Sequence, residues 1–165
     1  MTFSPAIVQT LCDSPLGPVR LAASEAGLCG LWFEGDPHQP DLTAVAVDRQ
    51  HPLLQQAVQQ LQAYFAGQRK DFDLPLDLSR GTPFQQAAWQ ALRALPYGAT
   101  TSYGALSATI GRPRAMRAVG AAIGRNPVSI IVPCHRVIGA NGALTGYAGG
   151  LPRKQALLRL EGVLL

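Results

Sequence analysis

Beyond Asp77 this chain holds a single carboxylate, Glu161. Residues 81–165 carry nine Lys and Arg against that one acid, a net of +8, whereas residues 1–80 carry five against nine acids, a net of −4. The overall charge of +4 hides the split. An acid-poor half with five arginines from Arg112 to Arg136 points to a polyanionic partner, nucleic acid first; a merely solvated basic surface gives no reason for carboxylates to be missing. Cysteine is also scarce. Cys12, Cys29 and Cys134 are an odd number with no C-x-x-C, which excludes a disulfide framework and a zinc finger. His38 and His51 lie in proline-flanked loop sequence without a second ligand at metal spacing, so they read as solvent-exposed, and neither a metal nor a cofactor is expected. No apolar run approaches the roughly 18 residues of a membrane span. The segment Met1–Pro5 lacks a basic region followed by an apolar core, so no signal peptide is expected and the cytoplasm is the expected compartment. With 47% hydrophobic residues, the 165-residue chain can bury an ordinary soluble core in one large domain or two small ones.

Residues 7–12, 18–23 and 28–33 are short strand-like segments separated by Asp13-Ser14-Pro15-Leu16-Gly17 and Ser24-Glu25-Ala26-Gly27, which predicts a small antiparallel meander. Cys12 and Cys29 fall inside it and read as packed core residues. After a loop over 35–51, Pro52 opens a helix with Leu53, Leu54, Ala57, Val58, Leu61, Tyr64 and Phe65 on its sheet-facing side, stopped at Gly67. No catalytic constellation is visible in residues 1–70, so this half is assigned a structural role. Asp71 to Arg80 reads as a linker between two domains, 1–80 and 81–165.

The second half opens with Thr82-Pro83, a cap and a helix start, followed by Phe84, Ala87, Ala88, Ala91, Leu92 and Leu95 on one face and a stop at Pro96-Tyr97-Gly98. Trp89, off that stripe, should pack against a neighbouring element. Thr100–Gly111 predicts a short capped helix, and Arg112-Pro113 a second one running to about Gly124. This is a helix-turn-helix pattern. Met116, Val119 and Ile123 make its predicted buried face; Arg114, Arg117, Ala118, Ala121 and Arg125 make the outward one. A major-groove reader projects Asn, Gln and Arg at base edges. Arginines and alanines alone suit a close minor-groove approach with little sequence preference, and Arg117 is the candidate wedge into the base stack. Asn126, at the helix end, has the turn chemistry to tie one backbone segment to another.

Ser129-Ile130-Ile131-Val132-Pro133-Cys134-His135-Arg136-Val137-Ile138 then delivers a Cys-His pair between apolar flanks. Burial raises a thiol's pKa, and an adjacent imidazole is a device for lowering it again; the alternative is a packed core cysteine. Gly139–Gly150 is a glycine-rich loop whose amides are free to contact a ligand. Pro152 starts a last helix with Ala156, Leu157 and Leu160 inward and Glu161 at its end. Acids are disfavoured at helix ends, so Glu161 needs a partner. That partner is either an arginine in an ordinary salt bridge or His135, which would make Glu161 the third member of a Cys-His-acid set. Neighbours in a strand or helix do not face one another, so Cys134 and His135 must communicate through a turn or a bridging water. Such a set serves a turning-over hydrolase, a DNA-binding regulator modified at Cys134, or a single alkyl transfer ending in a thioether. A thiolate beside a minor-groove helix with a wedge arginine suits the last, acting on a flipped, damaged base.

Pro133-Cys134-His135-Arg136-Val137 resembles the acceptor motif of the O6-alkylguanine-DNA alkyltransferases. The resemblance runs from Asp13-Ser14-Pro15-Leu16-Gly17 to Leu160-Glu161-Gly162 and is strongest from Thr82 onward. It implies an α+β fold: a small N-terminal antiparallel sheet plus helix, RNase H-like, then a mostly helical C-terminal domain with a winged-helix-like helix-turn-helix. It also implies that Cys134 is the alkyl acceptor, His135 the base acting through a water, Glu161 the acid bonded to that histidine, and Asn126 the residue supporting the site. Tyr103 is then the tyrosine that assists base flipping and hydrogen-bonds the purine; Val137, Tyr147, Ala148 and Gly149 line the pocket. Arg117 is the finger, with Arg114, Ala118, Ala121, Arg125 and Arg136 at the DNA. Some members carry serine at the position of Ala148. The implied partner is double-stranded DNA carrying O6-alkylguanine, bound in the minor groove by a monomer, with cooperativity along DNA left open. Some members hold a structural zinc in the N-terminal half, but only Cys29 matches here, so no metal is expected. A related non-transferring group has tryptophan at the acceptor position; Cys134 implies real transfer.

Overall fold

The computed structural model describes residues 6–163. Strands β1 (Val8–Cys12), β2 (Val19–Ala23) and β3 (Leu28–Phe33) pair antiparallel in chain order, with Cys12 opposite Val19 and Val19 opposite Phe33. Ser14 shapes the first turn, accepting from the amide of Leu16 at 3.1 Å. A fourth strand, β4 (Ala46–Val47), lies parallel to Val8–Gln9, so the sheet is mixed, in the order β3-β2-β1-β4. It falls in the segment expected to be loop, and two residues are too few for an alternating pattern to register. All of β3 is buried. Leu31 and Phe33 enter the main core, while Cys29 and Trp32 pack with Ile7, Ala22 and Leu42 under the 35–45 loop. Gln9 pins that loop by donating to the carbonyls of Leu42 (2.7 Å) and Val45 (2.8 Å).

Helix α1 (Pro52–Phe65) buries Leu54, Ala57, Leu61 and Tyr64. It ends as its sequence requires: Gly67 takes a positive φ of 74°, and the amides of Gly67 and Gln68 close back onto Tyr64 and Ala63. The presumed linker is not free chain. Leu28 donates to Pro75 and accepts from Asp77, both at 2.8 Å; farther along the same edge of β3, Leu31 donates to Pro127 (2.8 Å) and accepts from Ser129 (3.0 Å). The exposed sheet edge is therefore covered by two extended pieces, one of them immediately upstream of Cys134. One apolar cluster joins Leu31, Phe33, Leu61 and Tyr64 to Trp89, Leu92, Val128, Ile130 and Leu157.

Thr82 caps α2 (Pro83–Arg93) in a reciprocal box: Gln85 donates its amide to Thr82 Oγ1 at 3.1 Å and accepts from the Thr82 amide at 3.0 Å. Strand β5 (Thr101–Ser102) leads into α3 (Tyr103–Thr109), which Ser102 caps. Helix α4 (Met116–Gly124) follows, and Trp89 donates to the Ala122 carbonyl at 2.8 Å, so the off-stripe tryptophan does pack on a neighbour. The start of α4 differs from expectation. Arg112–Ala115 closes a turn through a 2.9 Å bond, with Pro113 at its second position, and the helix begins only at Met116. Val119 and Ile123 are buried, but Met116 is 52% exposed. It sits on the first helical turn over Gly104, which has no side chain to cover it. A single turn of 3-10 helix at Cys134–Arg136 is followed by β6 (Val137–Ile138), parallel to β5, and then by α5 (Leu151–Leu160). The inward stripe of α5 is Lys154, Leu157 and Leu158 leading to Glu161; Ala156 and Leu160 are only half-buried. Lys154, a charged residue, thus stands on the inward face for which Ala156 and Leu160 were expected. Thr82→Ala should lower stability by about 1 kcal/mol, read as a shifted urea midpoint at unchanged slope.

Candidate active site

The path to Cys134 is not a strand. Ile131 donates to the Ser129 carbonyl at 2.8 Å around Ile130, whose φ is 72°, and Cys134 donates to the Val132 carbonyl at 2.8 Å around Pro133, at φ −83° and ψ 64°. These are two three-residue turns in quick succession, the first centred on a β-branched residue in the left-handed region, a strained conformation. Asn126 braces them, donating to the Val132 carbonyl (2.7 Å) and accepting from the Val128 amide (3.0 Å). The 3-10 turn buries both members of the pair, Cys134 at 6% exposure and His135 at 0%.

Glu161 closes α5, and Gly162 after it takes a φ of 84°. Its carboxylate accepts from five donors. His135 Nε2 (2.7 Å), Tyr64 OH (2.6 Å) and Arg136 Nη2 (3.1 Å) meet Oε2; Arg136 Nε (2.7 Å) and the Gly98 amide (3.3 Å) meet Oε1. Both candidate partners of Glu161, an arginine and His135, are thus present together. Burial works against the charged form, but the hydrogen bonds from His135, Arg136 and Tyr64 outweigh it and hold Glu161 well below the usual carboxylate range. The expectation that Arg136 contacts DNA is corrected: it is 6% exposed, clamped on Glu161, and gives Nη1 to the Leu95 carbonyl at 2.7 Å. The lone acid of the basic half has drawn it inward.

The β5–β6 register places Tyr97 and Gly98 beside the Cys134–Arg136 turn, and Tyr103 beside the loop that follows Ile138. The Tyr103 hydroxyl accepts from Thr145 Oγ1 at 3.3 Å, and Tyr97 donates to the Leu160 carbonyl at 3.0 Å. Val137 and Gly149 are buried, Tyr147 and Ala148 half-buried. Arg114, Arg117, Ala118, Ala121 and Arg125 all lie exposed on α4 and its flanks.

Burial lowers the pKa of His135; Arg136 and Lys154 push it the same way, while Glu161 opposes them. The imidazole is therefore neutral. A carboxylate can only accept, so Nε2 carries the proton and Nδ1 keeps a lone pair; among the described residues this buried Nδ1 has no partner. Burial pushes the Cys134 thiol up to about 11, against a hydrogen bond from Asn126 and the charge of Lys154. Lys154 is 1% exposed and donates to the carbonyls of Thr145 (2.7 Å) and Gly146 (3.2 Å), holding the glycine loop; burial takes its pKa down to about 8, with Cys134 pulling the other way.

Tyr64, Lys154, Ile130 and the inward role of Arg136 were not among the predicted site features. The positions 154, 157, 158 and 161 recur at helical spacing, so Lys154 was detectable had charged residues been counted in the stripe. An inward tyrosine needs a partner for its hydroxyl, and that signal marked Tyr64. Nothing in the sequence marked Ile130.

Residues 7–78 match the ribonuclease-like domain, and residues 83–163 the DNA binding domain, of 6-O-methylguanine DNA methyltransferase. The methylated-DNA–protein-cysteine methyltransferase of Mycobacterium tuberculosis (strain H37Rv) is 53% identical over 149 residues, covering 90% of this chain and 88% of the relative. That of Methanosarcina acetivorans is 49% identical over 150 residues, covering 91% and 95%. The crystal structure of M. tuberculosis OGT in complex with DNA superposes with a TM-score of 0.87 at 51% identity, covering 93% and 92%. A ribonuclease-like part followed by a DNA-binding part carrying a buried Cys-His-Glu set defines a two-part methylguanine methyltransferase. The chain belongs to the methylated-DNA–protein-cysteine methyltransferase family.

Glu161→Gln leaves the Arg136 guanidinium buried without its counter-charge, and should cost about 3–5 kcal/mol in urea unfolding. The folded-state pKa of Glu161 lies below its ordinary 4.5, so its contribution is complete above that pH and is lost as pH falls beneath it. Wild-type stability should accordingly fall more steeply than that of Glu161→Gln below pH 4.5.

Proposed function

We propose that the protein repairs O6-alkylguanine in double-stranded DNA by moving the alkyl group to Cys134, once per molecule. The observation that carries this reading is the buried array in which Glu161 fixes His135 through Nε2 and leaves Nδ1, on the residue that follows Cys134, as an acceptor without a partner among the described residues. The names of the relatives support the substrate, and the DNA complex of the M. tuberculosis protein supports the partner.

The exposed Arg/Ala face of α4 enters the minor groove as a monomer, and Arg117 fills the place of the flipped nucleotide. His135 Nδ1 takes the thiol proton through a water. Lys154 and Asn126 stabilise the resulting thiolate, offsetting the burial that disfavours it. The sulfur then attacks the alkyl carbon; a C–S bond forms, the C–O bond breaks, and its electron pair stays with guanine O6. Tyr103 hydrogen-bonds the purine as that charge is delocalised, and the base regains a proton from solvent or from the imidazolium. A thioether has no easy exit, so the chain is spent.

Incubation with a duplex carrying labelled O6-methylguanine should place one equivalent of label on Cys134 and none on Cys134→Ala. Label released to solvent over many turnovers overturns the proposal. Arg117→Ala should slow the reaction on duplex DNA about tenfold while leaving reaction with free O6-alkylguanine base unchanged, because a wedge acts only on a stacked helix. Equal losses on the two substrates remove Arg117 from that role.

A further inference from the structure

The half of the chain without a catalytic motif sends one side chain into the site. Tyr64 is wholly buried on α1, its ring edge-on to Phe65 and Tyr97 at centroid distances of 5.4 and 6.2 Å and tilted against Phe72 at 5.4 Å. That packing aims its hydroxyl at Glu161 Oε2, at 2.6 Å, the same oxygen that holds His135 Nε2 at 2.7 Å.

We propose that Tyr64 is a positioning residue of the transfer site, sharing Glu161 Oε2 with His135 so that the carboxylate orients the imidazole without drawing a second proton onto it. The inference rests on the reading of His135 as proton acceptor. A carboxylate that accepts more hydrogen bonds is a weaker base, and stabilises a neighbouring imidazolium less. Of the donors on Glu161, Arg136 brings a charge and Gly98 a backbone amide. Tyr64 is the neutral side-chain donor that can be removed without altering the charge of the array. Burial and the Glu161 charge keep its phenol protonated. The other groups around the array are Tyr97, whose hydroxyl is committed to the Leu160 carbonyl, Lys70 over the Tyr97 ring, Lys154, which acts on both Cys134 and His135, Asp36, which acts on Cys134, and Tyr147, which interacts with both Tyr64 and Cys134. Tyr64→Phe leaves all of them in place.

The test uses the full chain with 15N-labelled histidine, following the His135 imidazole titration by NMR, together with the pH dependence of Cys134 alkylation by iodoacetamide. Neither needs DNA. Tyr64→Phe should move the His135 midpoint upward by about one pH unit, and carry the acid limb of Cys134 alkylation with it. Replacement of Tyr64 by 3-fluorotyrosine, a stronger donor that keeps the ring and hydroxyl, should move both downward. Should Tyr64→Phe fail to fold, the fluorinated chain decides alone. An unmoved midpoint, or shifts of the same sign in the two variants, overturns the proposal and leaves Tyr64 a packing residue. A wild-type chain that takes no label from the methylated duplex refutes the repair reading, while the two titration shifts still report on Tyr64.

Discussion

A single buried negative charge organises this molecule. The Glu161 carboxylate lies at the negative end of α5, where the helix dipole disfavours it, and is kept ionised by donors from α1, from the turn after α2 and from the Cys134–Arg136 turn. The donors come from three separate stretches of chain, so the network forms only when those stretches have docked. Removing one partner leaves another buried and unsatisfied, which makes such an array close to all-or-none. The acid-poor composition of the second half suits this economy: with no competing carboxylate nearby in sequence, Arg136 and His135 share one acceptor.

The turns before Cys134 show the complementary device, in which backbone strain is held by burial. Ile130 is 1% exposed despite its left-handed φ, its neighbours Val128 and Val132 are wholly buried, and Ser129 is bonded to β3. A conformation that costs of order 1–3 kcal/mol persists only where the surroundings over-determine it. Here the surroundings are the edge of the N-terminal sheet and the amide of Asn126. The sheet, far from the thiol in sequence, is part of what fixes the thiol in space.

Local signals were legible where local physics decides. The meander strands, α1 with its proline start and glycine stop, the capping box at Thr82 and the helix pair before Asn126 all follow from nearest-neighbour chemistry. The Cys-His motif and the suspicion attached to Glu161 came from residue type and position alone. What escaped depended on distant partners. β4 is two residues long and exists because β1 offers an edge; Pro75–Asp77 and Pro127–Ser129 pair with β3 without an alternating pattern of their own. Arg136 read as a DNA contact because it belongs to the acid-poor, basic half of the chain, whereas its partner is the one acid of that half, 25 residues away. Lys154 and Tyr64 sit on inward stripes, and an apolar template discards a lysine and treats a tyrosine as mere bulk.

Lys154 brings a consequence in charge terms. Arg136 and Glu161 cancel, His135 is neutral, and the thiol is protonated, so within this set the charge of Lys154 is left over, with Asp36 the other charged group that acts on Cys134. Ionisation of Cys134 adds the negative charge that Lys154 favours. On the proposed transfer, an S-alkylated Cys134 no longer supplies that charge. Under that proposal the spent chain keeps a buried ammonium without the prospect of a thiolate beside it, and differs from the fresh chain by more than the size of a methyl group.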